Sequence, residues 1–234
     1  MKAVIFDLDG TLVDSAPGIL ASFAGVFAAH GVAPNRPLTP TLIGPPLRET
    51  LASLCDGDDP ALLDRLTAAF KAHYDTEGYR QTRPFDGVAD MLAGLATAGL
   101  GLHIATNKRA LPTGQILRHL GWDELFQRVC ALDSFTPALP HKTALLGRLL
   151  AVAGLSAADG VYVGDRAEDR DAARANGLRF AWALWGFGDA AGADDDGLRL
   201  AVPDSAPLLA LRRGSVTPAS IHRCAARGSI DGKP

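Results

Sequence analysis

The stretch that most restricts the fold of this chain is Val4-Ile5-Phe6-Asp7-Leu8-Asp9-Gly10-Thr11-Leu12, close to its start. Val4 to Phe6 is a short β-branched and aromatic run of the kind that fills a buried strand, and Gly10 breaks it. Asp7 and Asp9 therefore fall where a parallel strand opens into a loop, the edge at which open α/β sheets bind ligands. Residues two apart on an extended segment point the same way, so both carboxylates can face one crevice. Close carboxylates repel unless a proton or a cation lies between them. The stretch asks for a nucleophile, a second acid/base group and a metal. Aspartates after a strand also form turns or cap the next helix, so the rest of the chain has to decide.

The chain after it divides in two. From about Ser15 to Arg83 the pattern is helical: Asp14 and Ser15 can cap a helix, Pro17 suits its first turn, and Ile19, Leu20, Phe23, Val26 and Phe27 recur at helical spacing up to Gly31. Pro34, Pro37, Pro40, Pro45 and Pro46 then mark short turns. Leu47, Leu51 and Leu54 suggest a brief helix, and Asp59-Pro60 starts another with Leu63, Leu66 and Phe70 on one face.

Beyond Pro84 strands and helices alternate. Leu100 to Ala105, Val129 to Leu132, Val161 to Val163 and Phe180 to Trp185 read as strands, separated by helices that close at Gly99, Gly121, Gly154 and Gly177. Such alternation predicts a doubly wound parallel sheet, a Rossmann-like α/β core built from residues 1–14 and 84–213. The helical block, 15–83, is inserted as a cap, and 214–234, poor in large apolar residues, reads as a mobile tail.

Each remaining strand end carries polar residues. Thr106-Asn107 follows the second core strand, where a hydroxyl and an amide can donate to phosphoryl oxygens or cap a helix. Lys142 falls in a first helical turn, where its charge opposes the helix dipole and calls for a compensating anion. Gly164-Asp165-Arg166-Ala167-Glu168-Asp169 follows Val161 to Val163, with Asp169 also able to cap the next helix.

In this order the four segments resemble the motifs of the haloacid dehalogenase superfamily in its phosphatase form. Asp14-Ser15-Ala16-Pro17-Gly18, Gly44-Pro45-Pro46-Leu47 and Trp185-Gly186-Phe187-Gly188 are similar to segments of its phosphoglycolate phosphatase-like members. The resemblance implies phosphate monoester hydrolysis through an aspartyl-phosphate, with Asp7 as nucleophile, ionised at neutral pH, and Asp9 as general acid/base. It implies Lys142 steadying the charge, and Thr106 and Asn107 binding the phosphoryl group. Mg²⁺ would be held by Asp7, the Asp9 carbonyl and Asp165, with Asp169 completing or orienting the shell. Many relatives carry Lys-Pro where this chain has Lys142-Thr143. Gly44 and Arg48 are substrate candidates in the cap, and a small phosphorylated metabolite, 2-phosphoglycolate first, is the expected substrate. A sugar phosphomutase and a non-catalytic phospho-ligand-binding protein are the alternatives on the same fold.

Composition sets the remaining bounds. A formal charge of −3 with scattered Lys and Arg gives no reason to expect nucleic acid. No apolar run reaches the length of a membrane helix, and no signal peptide is visible. Cys55, Cys130 and Cys224 have no metal-ligand spacing and no pairing pattern, which predicts a reduced, cytoplasmic chain.

Overall fold

The structure, a computed structural model, describes residues 1–56, 59–188 and 197–213. The expected tail 214–234, and Cys224 within it, lie outside the described residues. The chain begins with β1 (Ala3–Phe6) and β2 (Val13–Asp14). The helices α1 (Ala16–Ala29), α2 (Leu47–Leu54) and α3 (Pro60–Tyr74) follow, and β3 (Arg83–Pro84) returns to pair antiparallel with β2. The remainder runs α4 (Val88–Thr97), β4 (Gly101–Thr106), α5 (Ala110–His119), β5 (Arg128–Ala131), α6 (Lys142–Ala153), β6 (Gly160–Gly164), α7 (Ala167–Ala175), β7 (Arg179–Ala183), β8 (Leu198–Leu200) and α8 (Ser205–Ala210). Among the described residues no helix is long and apolar enough to cross a membrane.

Six strands form one sheet in the order β5-β4-β1-β6-β7-β8, every neighbouring pair parallel. The pleat sends alternate side chains to opposite faces. Val4 and Phe6 of β1 join a core with Leu92 and Leu95 of α4, Ile116 of α5 and Leu208 of α8. Ile5, between them, packs on the other face with Leu145 and Leu149 of α6 and Ala172 of α7. Both faces are thus covered by helices, which is why β1 is apolar throughout rather than alternating. The strand expected to reach Trp185 stops at Ala183, and Trp185 turns its Nε1 to the Thr11 carbonyl at 2.9 Å. The short strand β8 carries too little apolar pattern to be read from sequence.

The three helices between β2 and β3 have their own core, around Phe23, Phe27, Leu51, Leu66 and Phe70. Phe23 and Phe70 lie 4.7 Å apart between ring centroids, and Tyr74 stacks on Phe70 at 5.5 Å. Burying side chains of this size contributes roughly 1.5–3 kcal/mol each, so the insert has an apolar core of its own. Proline opens α3 as expected, with Asp59 accepting from the Ala61 N–H at 2.9 Å. At α1 one of the two candidate capping residues serves. Asp14 Oδ1 accepts from the Ala16 N–H at 3.0 Å, while the Ser15 side chain makes no cap and turns to Asp9 instead.

Candidate active site

β1, β4 and β6 are adjacent in the sheet, so the residues at their carboxyl ends converge at one place. The Asp7 N–H donates to the Val163 carbonyl at 2.9 Å, locking the end of β1 to β6. Asp7, Asp165 and Asp169 each offer a carboxylate oxygen within 4.8 Å of the others, and all three are buried. Lys142 opens α6 beside them. Its Nζ donates to Asp169 Oδ1 at 2.5 Å and lies 3.3 Å from Asp7 Oδ1. That second approach pairs the charges but is out of line for a hydrogen bond, and Asp7 Oδ1 is left with no donor. The cation opposed by the helix dipole is thus compensated by two carboxylates.

Asp165 is held by the loop after β7. Its Oδ2 accepts the N–H groups of Phe187 at 2.9 Å and Gly188 at 3.0 Å, and its Oδ1 lies 3.4 Å from the Thr11 hydroxyl. This loop has no room for side chains at its glycines. A Cβ on Gly186 would come within 2.3 Å of both Asp165 Cβ and the Gly10 carbonyl, and one on Gly188 within 1.9 Å of the Asp165 carbonyl. Asp169 is the third residue of α7 rather than its cap. Its Oδ2 nevertheless reaches back to the Arg166 N–H at 3.0 Å, while its Oδ1 serves Lys142. The Tyr162 hydroxyl, buried in β6, sits between the Ala105 carbonyl at 2.9 Å and Asp169 Oδ1 at 3.3 Å.

Burial dominates the electrostatics. It pushes the Asp7 carboxyl up to about 8, with Lys142 pulling it down and Asp169, Asp165 and Asp9 pushing it further up. Burial thus works against an ionised Asp7, and the Lys142 charge beside it works for one. Asp165 is raised to about 6, by burial first and Asp169 second. Burial alone would lower Lys142, but Asp169 and Asp7 carry it above the usual lysine range. Three buried hard-oxygen donors, one of them orphaned, fit a small divalent cation such as Mg²⁺, and no thiolate or imidazole is needed to complete the set.

Asp9 is not part of this group. Lys108 Nζ donates to its two oxygens at 3.1 and 3.2 Å, and the Ser15 hydroxyl donates to Oδ1 at 2.5 Å. Lys108 also lies 4.5 Å from the centre of the Tyr74 ring, so the insert closes over the pair. Each of the two aspartates thus has its own lysine.

Thr106 ends β4, and its oxygen accepts the Lys108 N–H at 3.2 Å while the hydroxyl keeps its own proton to donate. Asn107 Nδ2 donates to the Gly44 carbonyl at 3.1 Å and to Glu168 at 3.1 and 3.2 Å. A phosphoryl oxygen would have to replace one of these acceptors. Gly44 sits at φ +133°, where a Cβ would lie within 2.2 Å of Arg166 Nε, and Arg166 in turn donates to the Thr41 carbonyl at 2.8 Å. Arg48 is not brought to the site. Helix α2 turns it toward Asp64, with which it pairs on the exposed surface.

Between insert and core lies a cavity of about 80 Å³. Asp9, Asn107, Lys108 and Arg109 line it from the core, and Phe23, Gly44 and Phe70 are among the lining residues of the insert. Arg109 makes a two-pronged ion pair with Asp75 at the end of α3, at 2.9 and 2.5 Å. Of these residues, Lys108, Tyr74, Tyr162 and Arg109 carry no sequence signal for their partners. Gly186 and Gly188 fall in a segment that the sequence marks, but nothing in it signals their close approach to Asp165.

The family profile described as haloacid dehalogenase-like hydrolase matches residues 4–183. The chain is 37% identical over 190 residues to the tyrosine-protein kinase PtkA of Mycobacterium tuberculosis, covering 81% of this chain and 64% of that protein. The chain thus spans less than two thirds of that relative's length. It is 36% identical over 190 residues to the phosphoglycolate phosphatase of Xylella fastidiosa, covering 80% of this chain and 81% of that one. The solved structure of a haloacid dehalogenase-like family hydrolase from Streptococcus pneumoniae superposes with a TM-score of 0.77 at 27% identity, covering 92% of this chain and 98% of that one.

Proposed function

This chain belongs to the haloacid dehalogenase-like hydrolase family, and from that premise we propose that it is a phosphatase, a Mg²⁺-dependent phosphomonoester hydrolase. The observation that carries the reading is the buried group of Asp7, Asp165, Asp169 and Lys142, with Asp7 Oδ1 left free of donors. Asp7 attacks phosphorus, the bond from phosphorus to the leaving oxygen breaks, and Asp9 gives that oxygen a proton. Asp9 then takes a proton from water, and the water oxygen attacks the phosphorus of the aspartyl-phosphate, releasing phosphate and restoring Asp7. Lys142 and the Thr106 hydroxyl offset the charge on the phosphoryl oxygens, with Asn107 donating once it gives up an acceptor. Asp7, Asp165, Asp169 and the Asp9 carbonyl would hold the Mg²⁺, which when bound supplies the charge that favours ionised Asp7 and neutralises phosphoryl oxygens.

Residues 15–83 serve in this reading as a cap that excludes water and selects the leaving group. The substrate in this reading is a small phosphorylated metabolite, with 2-phosphoglycolate first, in keeping with the name of the Xylella fastidiosa relative. Two free, buried cysteines, Cys55 and Cys130, support a reducing, cytoplasmic setting.

The test is phosphate release from a panel of phosphomonoesters with Mg²⁺ or EDTA, for the wild type and Asp7→Asn. Release that requires Mg²⁺ and vanishes in Asp7→Asn is expected. No release from any ester by folded, Mg²⁺-bound protein would sink the reading. The similarity to PtkA favours a second reading, in which the phosphoryl group passes to a tyrosine hydroxyl instead of water. ATP with a tyrosine peptide in the same panel separates the two.

A further inference from the structure

We propose that Tyr74, at the end of α3 in the insert, is a positioning residue for proton delivery by Asp9 and acts through Lys108. The inference rests on the phosphomonoesterase reading and gives the insert a part in its first step.

Lys108 is held from two sides. An ammonium has three N–H donors, and Lys108 spends donors on both Asp9 oxygens. The face of the Tyr74 ring takes another side, its centre 4.5 Å from Lys108 Nζ. Tyr74 is buried and its hydroxyl makes no hydrogen bond, so the ring carries the contact. The ring is itself fixed. It stacks on Phe70, and the next residue, Asp75, is tied to the core by Arg109 and by Gln115 Nε2, which donates to its carbonyl at 2.8 Å. Two consecutive residues of the insert thus meet two consecutive residues of the core, Tyr74 on Lys108 and Asp75 on Arg109.

The two oxygens of Asp9 are not equivalent. Oδ1 accepts from Ser15 and Lys108, and Oδ2 from Lys108 alone. Oδ2 is therefore the oxygen that carries the proton. With a proton there, Lys108 has to leave Oδ2 and stay on Oδ1, although its flexible four-carbon stem can take it elsewhere. The ring face keeps it beside Asp9. As the bond from phosphorus to the leaving oxygen breaks, the proton passes from Oδ2 to that oxygen, and Lys108 returns to both oxygens of the carboxylate.

The experiment measures kcat/KM for ethyl phosphate and acetyl phosphate, which are similar in size. Ethanol needs the proton to leave, and acetate does not. Because kcat/KM covers only the steps up to the aspartyl-phosphate, attack by water does not enter. The full chain is used as wild type, Tyr74→Leu and Tyr74→Phe. The ratio of kcat/KM for acetyl phosphate to that for ethyl phosphate is expected to rise about tenfold in Tyr74→Leu and less than about threefold in Tyr74→Phe, which keeps a ring. A role in packing alone lowers both values together. An unchanged ratio in Tyr74→Leu, or an equal rise in Tyr74→Phe, overturns the proposal. In a Lys108→Met background Tyr74→Leu should add nothing to the ratio, and a further rise overturns action through Lys108. Should Tyr74→Leu not fold, Asp75→Ala decides. Asp75 lies outside the cavity, and loss of its ion pair frees the end of α3, so the ratio should rise there too; an unchanged ratio overturns the proposal. Absence of turnover of both compounds by the wild type, and of every other ester, is a separate result that removes the hydrolase reading and this one with it.

Discussion

Lys108 donates to both oxygens of the Asp9 carboxylate, at 3.1 and 3.2 Å, and their side chains are only 6% and 10% exposed. Removing one partner of a buried pair leaves an uncompensated charge. Lys108→Met is therefore expected to cost about 3 kcal/mol of stability and to reduce turnover of poor leaving groups most. Adding Asp9→Asn should recover most of the stability while abolishing turnover. Chemical denaturation of the two single variants and the double variant checks it; equal losses in all three would show that the pair has no such role.

Cation binding should release protons. Burial raises Asp7 to about 8, so without a cation this group carries a proton at pH 7, and a cation on its oxygen displaces it. About one proton per Mg²⁺ is expected in a weakly buffered titration at pH 7, falling toward zero at pH 9. Asp7→Asn should release almost none. The same shift fixes a sign for the cation-free protein. The folded state holds a proton that the unfolded state has lost between pH 4 and 8, so this group makes stability fall as pH rises through that window.

Gly186 has no space for a methyl group between Asp165 and the Gly10 carbonyl. Gly186→Ala should cost about 2 kcal/mol and weaken Mg²⁺ binding about tenfold or more by displacing Asp165. Gly25, on the exposed side of α1, has nothing within 4 Å of the place a methyl group would take. Gly25→Ala should stabilise by about 0.5–1 kcal/mol with unchanged Mg²⁺ affinity. Calorimetry of both variants checks the contrast.

His103 in β4 is buried, and neither ring nitrogen has a hydrogen-bond partner. Burial, with Arg128 as the second cause, lowers its pKa below 6.5. In the window below 6.5 the unfolded chain then binds more protons than the folded one, and stability declines as pH falls. His103→Leu should reduce the stability difference between pH 7 and pH 5. Denaturant midpoints at the two pH values measure it, and an unchanged difference would remove His103 as a cause.

The core was legible because apolar runs ended in chemistry-bearing residues. Asp7, Thr106 and Asp165 each terminate a strand, and alternation alone predicts that such ends share an edge. Lys142 was legible from its place at the start of a helix. What stayed hidden depends on how the insert lies on the core. The Asp9–Lys108 pair spans 99 positions, and Asp75–Arg109 spans 34 across that boundary. Arg48 shows the converse: it follows the Gly44-Pro45-Pro46 turn closely, yet one helical turn directs it to Asp64 and away from the cavity. No pattern in residues 84–213 signalled that β8 would extend the sheet.

The chain leaves the core at Val13–Asp14 and comes back at Arg83–Pro84, with Val13 opposite Pro84 and Asp14 opposite Arg83. Departure and return are thus hydrogen-bonded neighbours, and a tight turn could join them with the whole insert gone. A fold wired in this manner can exchange one insert for another without rethreading its sheet. The exchange would not be neutral toward the chemistry, because Ser15 and Tyr74 leave with the insert and take the surroundings of Asp9 and Lys108 with them. In the proposed mechanism, choice of leaving group and delivery of its proton would therefore be inherited together.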